Sequence, residues 1–276
     1  MPGRLIGIFD SGVGGLTVAA RVQEDLPGAS YLYFGDTAHV PYGNRSADDV
    51  VRLVTGIARF LVEEGAAALV MACNTSSALA LEATRAWSPV PVIGIIEPAA
   101  RAAVLASRNG SIGLIANPLT ARSGAYERAA SQALAAGGLA PDAARITPVG
   151  CPKLVPLVEA GEVGSPAARA ALEEYLAPLQ AEGVDTLILG CTHYPFLVPL
   201  IQEILGPGVV IIDPAVFVVE ELKRLGWSAE EGTPGQRLYR VSGDPHEFEK
   251  TATLLLGRRL AGTCQVTVET PARAAS

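Results

Sequence analysis

Along most of this chain a short apolar run is followed by a break of glycine, proline and polar residues, and then by a longer stretch whose apolar positions recur at helical spacing. The apolar runs at residues 4–9, 30–34, 68–72, 92–96, 111–116, 145–149, 186–190 and 209–212 have the length and composition of buried strands. Between them, residues 16–26, 46–64, 120–136, 154–159 and 167–181 carry the helical pattern. In the stretch 46–64 the apolar face is Val50, Val54, Ile57 and Leu61, and Ser46 with Asp49 forms a capping-box signature at its start. Strands alternating with amphipathic helices predict an α/β fold with mainly parallel sheets flanked by helices.

Two of these units resemble each other. Ala68-Leu69-Val70-Met71-Ala72 leads into Cys73-Asn74-Thr75, and Thr186-Leu187-Ile188-Leu189-Gly190 leads into Cys191-Thr192-His193. Helical spacing comes after both, at Leu79, Ala83 and Trp87 and at Leu197, Leu200, Ile201 and Leu205. Each cysteine is therefore expected where a buried strand hands over to a helix. There, unpaired N–H groups and the helix dipole favour an anion and should lower a thiol's pKa. A single cysteine after a buried strand is most simply a small core residue. Two in matching positions favour a shared chemical role.

The simplest architecture is two similar α/β domains, with the active site in the cleft between them and one thiol from each. The first domain is expected at 1–98 plus 209–276, carrying Asp10 and Cys73. The second, inserted at 99–208, carries Cys191 and His193. Ligands in such folds bind at the carboxyl ends of the strands. Asp10, Cys73 and Cys191 are all expected there.

Composition narrows the possibilities. The chain has 276 residues, 49% of them hydrophobic, which suffices for one large or two smaller cores. No apolar run reaches the length of a membrane span and no secretory leader is recognisable, so a cytoplasmic location is expected. A net charge of -7 without a basic cluster argues against nucleic acid as a partner. The four cysteines, Cys73, Cys151, Cys191 and Cys264, have neither CxxC nor zinc-site spacing, so free thiols and no metal are expected. Cys151 and Cys264 read as structural.

The turn Asp10-Ser11-Gly12-Val13-Gly14-Gly15 exposes backbone N–H groups to an anion. It lacks the last glycine of a dinucleotide fingerprint and the lysine of a P-loop, so a small carboxylate is the better-sized guest. The polar loop from Gly35 through Asp36 and His39 to Pro41-Tyr42-Gly43 and Arg45 has the character of a binding loop. Two cysteines, one thiol and one thiolate, can invert a carbon stereocentre, one removing a proton and the other delivering one to the opposite face. Ser11, Asn74, Thr75, Thr192 and the loop at Tyr42-Gly43 supply neutral groups to hold a carboxylate and an amine. Schiff-base chemistry needs a placed lysine, and of Lys153, Lys223 and Lys250 only Lys153 lies near a predicted strand end.

The segments Asp10-Ser11-Gly12-Val13-Gly14-Gly15-Leu16-Thr17-Val18, Gly35-Asp36-Thr37 with Pro41-Tyr42-Gly43, Cys73-Asn74-Thr75 and Gly190-Cys191-Thr192-His193-Tyr194-Pro195 together resemble the glutamate racemases of the cofactor-independent aspartate/glutamate racemase superfamily. Gly94-Ile95-Ile96-Glu97-Pro98 and the segment from Cys151-Pro152-Lys153 to Glu159 fit the same pattern. The resemblance implies interconversion of L- and D-glutamate without pyridoxal phosphate or any other cofactor, supplying D-glutamate for peptidoglycan, in an enzyme that is commonly a homodimer. It implies that Cys73 is the base for the D isomer and Cys191 for the L isomer, assisted by Asp10 and His193. Asp36 and Glu159 match acidic positions of the family, and Ser11, Pro41, Tyr42, Gly43, Asn74, Thr75 and Thr192 would surround the substrate. His39 stands where the family usually has arginine, Asn117 with Thr120 replaces a more usual pair of threonines, and Asp213-Pro214-Ala215 matches only in part. No motif is recognised beyond Gly226. Two other readings stay open: an aspartate-specific racemase with the same thiol pair, and a two-domain protein that binds an amino acid without turning it over.

Overall fold

A computed structural model of the chain describes residues 4–228, 234–260 and 262–271. In chain order the first part comprises β1 (Leu5–Asp10), α1 (Leu16–Asp25), β2 (Ser30–Gly35), α2 (Ala47–Glu63), β3 (Ala66–Met71), α3 (Asn74–Arg85) and β4 (Val92–Gly94). Next come α4 (Ile96–Ala106), β5 (Ser111–Ala116), α5 (Pro118–Arg122), α6 (Ala125–Ala136), β6 (Arg145–Gly150), α7 (Leu154–Glu159) and α8 (Pro166–Ala181). The last part is β7 (Thr186–Gly190), α9 (Val198–Leu205), β8 (Val210–Ile212), α10 (Pro214–Arg224), β9 (Arg237–Val241), α11 (Pro245–Leu256) and β10 (Thr263–Gln265).

The chain divides into two compact units, Met1–Ile95 with Val218–Ser276, and Ile96–Phe217. In the first, six strands run parallel in the order β10-β9-β2-β1-β3-β4. In the second, four run parallel in the order β6-β5-β7-β8. The order β2-β1-β3-β4 of the first sheet thus recurs as β6-β5-β7-β8, so the sequence repeat around the two cysteines is a repeat of topology. In both sheets the chain pairs its first strand on one side and then crosses to the other. This reversal opens a crevice at the carboxyl ends of the first and third strands, where side chains can meet a ligand. Asp10 ends β1 and Cys73 lies just after β3; Asn117 lies just after β5 and Cys191 just after β7.

Burial on both faces explains the unbroken apolar runs. Ile6, Ile8 and Phe9 of β1 and Ala68 to Met71 of β3 are buried, and the Val50, Val54, Ile57 and Leu61 face of α2 packs with Phe9, Leu69 and Met71 on one face of the sheet. Full burial of each such aliphatic side chain contributes about 1.5–3 kcal/mol relative to exposure. The Asp49 N–H donates to Ser46 Oγ at 3.2 Å, the cap that the sequence predicts. Among the described residues no helix is long and apolar enough to cross a membrane.

Several expected boundaries differ. Strand β8 pairs with β7 through Thr186↔Val210, Leu187↔Ile211 and Ile188↔Ile212, so residues 209–217 stay with the second unit instead of opening the return to the first. At the other end of that unit, the expected strand 92–96 stops at Gly94, and Ile96-Glu97-Pro98 open α4. The expected helix 120–136 is two helices broken at Gly124, whose φ of +67° no ordinary L-residue adopts readily. Beyond Gly226 the chain supplies β9 and β10 to the first sheet.

Candidate active site

In the first unit the chemistry gathers at the carboxyl ends of β1 and β3. Asp10 is 1% exposed, and its Oδ2 accepts the Gly12 N–H at 2.9 Å, which folds the turn back beneath the strand end. A Cβ at Gly15 would lie 2.5 Å from Asp10 Cβ, so only glycine lets α1 start this close to that carboxylate. The glycine turn is further pinned from β2, where the buried Tyr33 hydroxyl donates to the Gly12 carbonyl at 2.8 Å. Tyr33 is a supporting residue that its position in an apolar run conceals.

Cys73 is the N-cap of α3, with its Sγ accepting the Ser76 N–H at 3.5 Å and lying 3.7 Å from Ser11 Oγ. Asn74 and Thr75, the next two residues, are buried in the first turn. The expected lowering of this thiol's pKa by the helix start is reversed. Burial first, and the negative charge of Asp10 second, push Cys73 up to about 11, against the smaller opposing effect of the N–H and hydroxyl donors. Cys73 therefore rests as a thiol, a proton donor. Because Asp10 is one of the two causes, Asp10→Asn is expected to bring the thiolate midpoint down toward, but not to, the ordinary cysteine value. Ultraviolet thiolate titration, with Cys73→Ser as the blank, measures it; an unchanged or higher midpoint contradicts this electrostatic account.

The loop after β2 is tied down by Asp36, which is 2% exposed. Its carboxylate accepts from the Tyr42 hydroxyl at 2.5 Å on Oδ2 and from His39 Nδ1 at 2.7 Å on Oδ1. Tyr42 is buried, Gly43 half-buried and Pro41 exposed. Burial, with the Asp36 charge behind it, raises the Tyr42 phenol well above its ordinary range, so the hydroxyl stays a donor. His39, the departure from the family pattern, thus works as a second tie on Asp36, and its main-chain carbonyl accepts from Arg45 Nε at 2.5 Å.

In the second unit Cys191 lies just after β7, but no α-helix begins on it. Tyr194–Leu197 form a 3₁₀ turn and α9 starts only at Val198, so Cys191 lacks the direct capping position of Cys73. A side chain takes the place of the helix start. His193 Nδ1 lies 3.8 Å from Cys191 Sγ, and His193 Nε2 lies 2.9 Å from Glu159 Oε1, at the end of α7. A carboxylate accepting at Nε2 places the ring proton there and leaves Nδ1 of the neutral ring to face the sulfur as an acceptor. Thiol, imidazole and carboxylate then form a chain along which the Cys191 proton has somewhere to go. Thr192 and Thr120 are buried. The Asn117 side-chain oxygen accepts the Leu119 N–H at 3.0 Å and caps α5, which gives that residue a structural task.

The remaining candidates have different surroundings. Cys151 is buried, its thiol is pushed up to about 12 chiefly by that burial, and it lies against the Val149 carbonyl at 3.5 Å. Cys264 is exposed. Lys153 is an exposed ammonium ion-paired with Glu174 at 2.6 Å, a setting unlike the desolvated one that prepares a Schiff-base amine.

Residues 16–222 match the Asp/Glu/Hydantoin racemase family. The chain is 47% identical over 263 residues to a glutamate racemase of Desulforudis audaxviator, covering 92% of this chain and 94% of that one. Among solved structures it resembles the Thermus thermophilus glutamate racemase in complex with beta-chloro-D-alanine, with a TM-score of 0.84 and 39% identity over 96% of this chain and 98% of that one. It also resembles the Francisella tularensis glutamate racemase in complex with D-glutamate, with a TM-score of 0.85 and 29% identity over 97% and 98% of the two chains.

Proposed function

This chain belongs to the Asp/Glu/Hydantoin racemase family, a family of racemases that work without pyridoxal phosphate, and from that premise we propose that it interconverts L- and D-glutamate with Cys73 and Cys191 as its two acid–base groups. The observation that carries this reading is the repeated topology, which brings one cysteine to the carboxyl end of the third strand in each unit. The Francisella relative's bound D-glutamate and the names of the relatives support glutamate as the substrate.

The chemistry arises from the different surroundings of the thiols. With L-glutamate, Cys191 removes the α-proton and the Cys73 thiol, held protonated by burial and by Asp10, delivers one to the opposite face. The His193–Glu159 chain takes up and returns the proton of Cys191. With D-glutamate the roles exchange. Ser11, Asn74, Thr75, Thr192 and the Pro41-Tyr42-Gly43 loop hold the carboxylate and amine of the substrate, with Asp36 fixing that loop, and D-glutamate leaves for peptidoglycan synthesis.

The test is incubation of the reduced protein, without added cofactor, with each enantiomer of glutamate and of aspartate, monitoring optical activity. Decay of both glutamate signals to zero, with aspartate much slower, is expected. Turnover of aspartate alone would reassign the substrate, and binding without turnover would reduce the protein to a receptor.

A further inference from the structure

The glutamate reading leaves one set of contacts unused, at the point where the C-terminal part of the chain meets the substrate loop. Strand β9 lies beside β2, with Phe34↔Arg240 and Gly35↔Val241 as partners, and the two residues after it fold over the start of the loop. The Ser242 hydroxyl donates to Asp36 Oδ1 at 2.6 Å, and the same Ser242 oxygen accepts the Ala38 N–H at 3.0 Å. The Gly243 N–H donates to Thr37 Oγ1 at 3.1 Å, and a Cβ on Gly243 would stand 2.7 Å from that oxygen. Two adjacent residues thus grip three consecutive loop residues, and one of the three is the carboxylate that holds the Tyr42 hydroxyl.

Packing alone does not hold the loop in place. A cavity of about 240 Å³ opens beside the same groups, lined by Asp36, His39 and Ser242 together with Leu53, Ile57 and Val268. With open space on that side, hydrogen bonds take a larger share in fixing Asp36, and the Ser242 hydroxyl from the end of β9 adds to the bonds from Tyr42 and His39.

The geometry points to Ser242 as a positioning residue for the reaction, the hydroxyl through which the end of β9 helps to fix Asp36 and, through it, the Pro41-Tyr42-Gly43 loop on the substrate. This inference rests on the glutamate racemase reading for its kinetic consequence, but the grip itself does not depend on it. Removing the hydroxyl takes one of its two donors from Asp36 Oδ1, leaving His39 as the other, and frees the Ala38 amide, while leaving both thiols untouched. The loss should fall on substrate binding more than on the chemical step.

Ser242→Ala and Ser242→Thr, made in the full chain, provide the test. In Ser242→Ala the KM for each glutamate enantiomer is expected to rise about tenfold while kcat changes by less than about threefold, the signature of lost ground-state binding. Ser242→Thr, which keeps the hydroxyl, should restore KM. Amide hydrogen exchange of the peptide over residues 36–45 should quicken in Ser242→Ala and stay at the parent rate in Ser242→Thr, with the α2 peptide unaffected. An unchanged KM, a fall in kcat at constant KM, or unchanged exchange over residues 36–45 would each overturn the assignment. If the parent does not racemise glutamate, the proposed function fails and the exchange comparison alone decides the grip. Should Ser242→Ala not fold, Thr37→Val removes the other hydroxyl of the grip and is read in the same assays, with the same expected direction and the same contradicting outcomes.

Discussion

Cys73→Ser and Cys191→Ser are each expected to lower racemisation in both directions by about 10³-fold or more, whereas Cys151→Ser and Cys264→Ser leave it within a few-fold of the parent. Inversion needs an acid and a base on opposite faces of one carbon, and a serine hydroxyl is too weak an acid to exchange a proton at the rate a thiol does. The loss should be chemical rather than structural. Serine is a better N-cap than cysteine, so Cys73→Ser preserves the bond from the Ser76 N–H that closes the first turn of α3. Cys191 is only half-buried, and serine is smaller. Circular dichroism and thermal melting of the variants check the fold, and chiral chromatography of the product checks the activity. Near-normal turnover in either of the first pair would remove that cysteine from the mechanism.

His193→Asn is expected to cost about 10²-fold in kcat/KM, the lower end of what a positioned acid–base group contributes. The imidazole links the Cys191 sulfur at 3.8 Å to the Glu159 carboxylate at 2.9 Å, and asparagine is too short to bridge them. Although Cys191 is the base only for the L isomer, kcat/KM must fall equally from both sides. Enantiomers have an equilibrium constant of one, and any catalyst is bound by it. Asymmetry is permitted in kcat and KM separately, and the larger kcat loss should appear from L-glutamate. Glu159→Gln keeps the shape but removes the charge that orients the ring, and about tenfold is expected, the equivalent of about 1.4 kcal/mol of charge assistance to one hydrogen bond. Initial rates from each enantiomer measure these effects. Parent-like rates in His193→Asn would leave Cys191 acting without its partner.

The sequence carries the parts of this fold that local pattern can encode. Apolar runs such as 68–72 and 186–190 disclose the strands Ala66–Met71 and Thr186–Gly190 because both faces of a parallel sheet are buried, and Ser46 with Asp49 marks a helix start because a capping hydroxyl must sit beside the N–H it satisfies. The partner of a short strand has no such local signature. Val210–Ile212 looks the same beside either sheet, and only the folded chain assigns it to β7. The site divides along the same line. Cys73 and Cys191 stand out by repetition, but the direction in which Cys73 is shifted depends on burial and on Asp10, which reaches it from another strand. Likewise, Cys191 resembles Cys73 up to the strand end, and Pro195 helps turn Tyr194–Leu197 into a 3₁₀ segment. Ser242 is invisible in the sequence because a serine after a strand is commonplace, and its task arises only where β9 meets β2.

The most direct measurement of the two-thiol account is the position of deuterium early in the reaction of L-glutamate in deuterium oxide. If Cys191 removes the proton and Cys73 delivers another, the first D-glutamate formed carries deuterium at its α-carbon while the remaining L-glutamate keeps its original hydrogen. Deuterium appearing in the recovered L-glutamate as fast as D-glutamate forms would mean that one group, or solvent, serves both faces, and would contradict the separate roles of the two cysteines.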